Sequence, residues 1–159
     1  MISTFRVSST RDEFDSSELD AGRWNASAST LGRSKIEPEN VGIEDGDLRL
    51  TVPETTLNGG EIESIDLYGP GFYAARIKVP DAPGSITGFF LYQSPDLASE
   101  IDIEMYNDPS GTVLFTTYAG GEQTHTETMT LPFDPTADFH DYALFYDGET
   151  LPSMPTASR

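Results

Sequence analysis

The chain contains no cysteine, so neither a disulfide framework nor a thiolate centre can organise it, and cysteine usage is silent on redox compartment. Cationic side chains are scarce. Nine Lys and Arg stand against 27 Asp and Glu, for a formal net charge of −18, and only Lys35 and Lys78 are lysines. Such a surface repels nucleic acid phosphates and anionic lipid, which excludes nucleic acid and the membrane surface as partners. No apolar run approaches the roughly 18 residues that a membrane span needs. The opening MISTFRVSSTRDEF lacks the apolar stretch of a secretory signal, so no compartment is assigned. Apolar residues at helical spacing are missing as well.

What the chain does have is acid, turn formers and β-branched runs. The acid excess suits a protein kept hydrated where salt screens self-repulsion, and a halophilic source is expected. At 159 residues the chain fits one domain, whereas all-β sandwiches often run to about 200–250 residues; it is expected to be a small sandwich or an incomplete one. Turn signals recur at Asp45-Gly46, Asn58-Gly59-Gly60, Gly69-Pro70-Gly71, Pro83-Gly84, Asn107-Asp108-Pro109 and Gly120-Gly121, separated by runs rich in Ile, Val, Thr, Tyr and Phe. This punctuation predicts strands at 48–52, 61–66, 71–79, 86–93, 100–106, 112–119, 124–131 and 138–146. No second domain, repeat or linker is visible, and a monomer is the expected state.

Successive side chains of a strand point to opposite faces. In the run Glu100-Ile101-Asp102-Ile103-Glu104 the two isoleucines therefore share one face and the three acids the other. In 86–93, Phe89 and Leu91 share a face while Gly88, Phe90 and Tyr92 take the opposite one. Acids spaced in this way suit glycoside hydrolysis, which needs one protonated carboxyl to donate to the leaving oxygen and one carboxylate to attack or to activate water. Cα atoms four residues apart on a strand lie about 13 Å apart, a gap that two inclined Glu side chains can largely close. Crowded like charges also raise the pKa of at least one member. Taken alone the pattern is weak, because in so acidic a chain it arises by chance about once, and a solvated strand face presents it without further function. Aromatic residues nearby shift the balance, since flat rings suit sugar rings, although Phe90 and Tyr92 could equally pack under a loop.

The run Ser99-Glu100-Ile101-Asp102-Ile103-Glu104-Met105-Tyr106 resembles the signature of glycoside hydrolase family 16, and its surroundings resemble the lichenase and laminarinase branch. Gly60-Glu61-Ile62-Glu63-Ser64, Tyr68-Gly69-Pro70-Gly71-Phe72-Tyr73, Gly88-Phe89-Phe90-Leu91-Tyr92 and Phe139-His140-Asp141-Tyr142 are similar to further landmarks of that family, in order, from about residue 12 to residue 147. The resemblance implies a two-sheet antiparallel β-sandwich of jelly-roll, concanavalin A-like type, a polysaccharide substrate such as a β-1,3-1,4- or β-1,3-glucan, and retaining double displacement. It implies Glu100 as nucleophile, Glu104 as general acid/base, and Asp102 as the group that hydrogen-bonds the nucleophile. It also implies sugar contacts from Glu61, Phe90, Tyr92 and Tyr118. Glu63 stands where lichenases carry an arginine, and the loop 93–99 lacks their tryptophan. Trp24, the sole tryptophan, is expected in the core.

The catalytic sandwich is expected to occupy 1–148, with 149–159 as a tail unlike the family and the sandwich incomplete at its C-terminus. Such a shortened chain is expected to fold poorly or to act weakly. A non-catalytic glycan-binding sandwich and an inactive remnant stay open beside the hydrolase. No cofactor is expected. The carboxylate mechanism needs neither His125 nor His140, and single histidines at strand ends are usually structural. Members of the family often bind a structural calcium, partly through C-terminal sequence without a counterpart here, and no metal is assigned.

Overall fold

A computed structural model of the chain describes residues 9–95 and 98–148. It is all-β, as expected, with no helix among the described residues beyond a 3-10 turn at Pro38–Asn40. The chain divides into two compact units, with the boundary between Leu67 and Tyr68.

The first unit is built from short antiparallel pairs. Strand β1 (Trp24–Ala26) pairs with β6 (Ile62–Ser64), β2 (Ser29–Leu31) with β3 (Ser34–Ile36), and β4 (Val41–Glu44) with β5 (Asp47–Leu50). Strands β1 to β4 were not expected: each is three or four residues long, too short to display an alternating pattern. The described residues of this unit bury no apolar side chain fully; its buried residues are the polar Ser27 and Asn40. Trp24, expected in the core, is half-buried instead. Its ring tilts against Phe14 at 5.9 Å, and its Nε1–H donates to Asp12 Oδ2 at 2.8 Å. Arg23 Nη1 reaches the same oxygen at 3.0 Å. The Trp24 and Phe14 N–H donors, with the Arg23 charge behind them, hold the Asp12 carboxyl below its usual range.

The second unit holds the larger sheet. Its strands are β7 (Gly71–Ile77), β8 (Ile86–Gln93), β9 (Ser99–Tyr106), β10 (Thr112–Ala119), β11 (Glu122–Thr130) and β12 (His140–Tyr146). Four of them form an antiparallel sheet in the order β11-β10-β9-β8, and β7 pairs with β12. The residue pattern locates β8 and β10 at their observed bounds. Strand β11 begins two residues before its expected start, because the Gly120-Gly121 turn brings Glu122 directly opposite Ala119. Both glycines have positive φ, 63° and 87°, the backbone that a two-residue hairpin turn requires and that other residues resist.

One face of the four-stranded sheet carries Ile103, Met105 and Val113, each at most 1% exposed, packed with Val79, Leu131, Tyr142 and Leu144. Tyr73 and Ile77 from β7 and Phe89, Leu91, Ile101 and Phe115 from the sheet close around them. The β7–β12 pair thus covers the apolar face of the sheet. Asn107, 1% exposed, joins the end of β9 to the start of β8. Its Nδ2 donates to Ser85 Oγ at 2.8 Å, its Oδ1 accepts from Thr87 Oγ1 at 2.6 Å, and its carbonyl accepts from the Ala82 N–H at 2.9 Å. A buried amide satisfied on both its donor and its acceptor side fixes one register and penalises the others.

Candidate active site

The acids stand on the sheet face opposite the core. Residues 100, 102 and 104 alternate along β9 with Ile101, Ile103 and Met105, which point into the apolar layer, so the burial of those three forces the carboxylates outward. Cross-strand pairing then names their neighbours. Glu100 lies between Tyr92 on β8 and Tyr118 on β10, Asp102 between Phe90 and Thr116, and Glu104 between Gly88 and Leu114. Directly paired residues share a face, with Cβ atoms about 4.5–5.5 Å apart. The alternation left open whether Phe90 and Tyr92 share the face of the acids; the pairing puts them there. Gly88 leaves open space beside Glu104, where an added Cβ would meet only Phe90 Cδ1, at 3.8 Å.

The row is electrostatically crowded. The Asp102 carboxyl is pushed up to about 8, first by burial, then by the charges of Glu100 and Glu104, and by a side-chain hydrogen bond with Glu100. Glu104 is also raised, by burial. The cluster therefore holds at least one proton at neutral pH, and Asp102 can donate it to Glu100. A protonated acid and an ionised carboxylate thus coexist on one strand.

The other expected residues are placed as follows. Tyr118 is half-buried in the row of Glu100. Glu61 belongs to the first unit, immediately before β6, where its carbonyl accepts from the Ser27 N–H at 3.0 Å. His125 is exposed on the side of β11 facing away from the acids, 4.0 Å from Glu127. His140 stacks on Phe133 at 3.9 Å, and neither ring nitrogen has a hydrogen-bond partner. Sequence reasoning passed over Thr116, 5% exposed beside Asp102, and the continuation of the rows onto β11, where Thr126 faces Thr116 and Gln123 faces Tyr118. The alternation along β10 reveals Thr116; nothing in the sequence reveals Gln123, because the register shifts between Thr117 and Tyr118.

A core-backed antiparallel sheet with a carboxylate row on its other face places this chain among the jelly-roll β-sandwiches. The structure superposes with a TM-score of 0.72 on the crystal structure of a prokaryotic β-1,3-1,4-glucanase (lichenase) derived from a mouse hindgut metagenome, covering 92% of this chain and 81% of that one at 27% identity. The profile of glycosyl hydrolases family 16 matches residues 25–151, and the chain belongs to that family. It is 33% identical over 112 residues to a β-glucanase of Bacillus subtilis (strain 168), covering 67% of this chain and 46% of that protein. It is 35% identical over 123 residues to xyloglucan endotransglucosylase/hydrolase protein 3 of Arabidopsis thaliana, covering 74% and 41%. The chain thus spans less than half the length of these curated relatives.

Proposed function

We propose that this protein is a glycoside hydrolase that cleaves internal bonds of a neutral β-glucan, of β-1,3-1,4 or β-1,3 linkage, by retaining double displacement. The observation that carries the reading is the row Glu100, Asp102 and Glu104 set by pairing between Tyr92 and Phe90 on one side and Tyr118 and Thr116 on the other. Glu100 attacks the anomeric carbon while Glu104, whose pKa burial raises, serves as the general acid and gives its proton to the departing glycosidic oxygen. The resulting glycosyl ester on Glu100 is hydrolysed by water that Glu104, now a carboxylate, deprotonates, so the anomeric configuration is retained. Asp102 keeps its proton near neutrality and donates to Glu100, which positions the nucleophile and limits the charge on the row. Phe90, Tyr92 and Tyr118 supply ring faces for the sugars.

A net charge of −18 disfavours sulfated galactans, which supports a neutral substrate. The family match spans both compact units, which supports treating 1–148 as one catalytic domain, acting as a monomer. The acid excess supports a saline habitat, and thermal stability should rise from low to molar salt; a maximum at low salt contradicts it.

Mixed-linked glucan, laminarin, agarose and carrageenan, each incubated with the parent chain and with Glu100→Ala, test the reading. Hydrolysis of a neutral glucan with a β-configured first product, lost in Glu100→Ala and restored by azide as the α-glycosyl azide, is expected. Glucan binding without turnover in the parent would instead identify a non-catalytic binding sandwich. The relatives named xyloglucan endotransglucosylase/hydrolase favour one variation. The same ester can pass its sugar to a second glycan, and products longer than the starting chains would reveal it.

A further inference from the structure

A β-bulge lies at the end of the carboxylate row. From Thr112 to Thr117, strand β10 pairs with β11 in a constant register, Thr112 with Thr130 through Thr117 with His125. Continued unbroken, that register would set Thr124 opposite Tyr118 and turn Gln123 to the core-side face. Instead Tyr118 pairs with Gln123 and Ala119 with Glu122, so Thr124 is the extra residue. Its hydroxyl lies 2.8 Å from Thr117 Oγ1 and donates to the Thr117 carbonyl at 3.1 Å. Thr124 and His125 therefore both lie on the side of Thr117, away from the acids, and the strand resumes its alternation with Gln123 on the acid side. Bulges next to active sites re-aim side chains in this way.

We infer that Gln123 is a specificity-determining residue that hydrogen-bonds a sugar unit bound over Tyr118, beyond the one attacked by Glu100; the inference rests on the glucan hydrolase reading. Gln123, Tyr118 and Glu100 form one cross-strand row. Strands about 4.8 Å apart set Gln123 roughly 10 Å from Glu100 across the sheet, a span that a short oligosaccharide bridges. Gln123 is exposed on the edge strand, so its amide is free to meet a ligand. A carboxamide offers a donor and an acceptor in one plane, which matches adjacent hydroxyls of a neutral pyranose. It adds no charge beside three carboxylates, whereas a glutamate there would add a fourth.

Steady-state kinetics on the neutral glucan that the parent cleaves test this, with Gln123→Ala, Gln123→Glu and, as a control on the opposite face, His125→Ala. Gln123→Ala should raise KM about fivefold to tenfold, the worth of one or two neutral hydrogen bonds, with kcat within about twofold and the melting temperature unchanged. Gln123→Glu should recover part of the KM and move the acidic limb of the pH–rate profile upward, as an added charge on the face of the acids must. His125→Ala should match the parent. A KM for Gln123→Ala within twofold of the parent, or an equal loss in His125→Ala, overturns the inference while leaving the hydrolase reading intact. If the parent cleaves none of the glucans, that reading fails first. Retardation on glucan-containing native gels then decides for Gln123: parent retarded and Gln123→Ala released supports the contact, and equal mobility of the two overturns it.

Discussion

The two faces of strand β9 differ by a single step along the chain and in almost everything else. On one face Ile103 and Met105 are at most 1% exposed within the apolar layer under β7 and β12. On the other, Glu100, Asp102 and Glu104 form a crowded row, Glu100 between two tyrosines, with the pKa values of Asp102 and Glu104 raised. The apolar face lowers the free energy of the fold. The acid face works against it, because burial and neighbouring like charges disfavour the ionised form of a carboxyl there. One strand thus carries stability and strain back to back, and the burial of the first holds the second in place.

Moving an acid by one residue should break the contrast most severely. Ile103→Asp puts a carboxylate at a fully buried site, at a cost of about 4 kcal/mol or more, and the cooperative thermal transition by circular dichroism should disappear. Next in size, Glu104→Gln should lower kcat on a neutral glucan about 10²–10⁴-fold while the melting temperature holds or rises; a fall of more than a few degrees would mean that the acid face also supports the fold. The third test uses pH. The folded pKa of Asp102 lies above its ordinary value, so the native state keeps a proton that the unfolded chain releases. Its contribution to stability is therefore complete below about pH 4 and declines as pH rises to about 8. Asp102 keeps partial solvent contact, so the gradient in urea midpoint should correspond to less than about 1.4 kcal/mol per pH unit. Asp102→Asn should flatten it. The smallest effect is expected for Tyr92→Ala, about a fivefold rise in KM from a lost ring face, with stability within about 0.5 kcal/mol of the parent.

The alternation of Ile and acid made both faces of β9 legible in the sequence, because a strand buried on one side must follow period 2. Strands β8 and β10 were legible for the same reason, bounded by clear turn residues. The short strands β1 to β4 were not, because three residues such as Ser29–Leu31 carry no period. Trp24 misled for another reason: its indole N–H finds Asp12, and a ring held by a polar partner need not seek the core. The side of β11 that faces the acids was hidden because one inserted residue, Thr124, breaks the alternation, and only its pairing with β10 shows where. Phe90 and Tyr92 were legible from alternation as well as from family likeness, Glu61 and Tyr118 from likeness alone; pairing then supplied the neighbours of Phe90, Tyr92 and Tyr118.

Asn107 fastens the β8–β9 hairpin at the end away from its own loop. From that end the pairing runs unbroken to Tyr92 opposite Glu100. The hairpin behaves like a zip fixed at its base: the tooth set at Asn107 decides which residue of β8 meets each acid of β9.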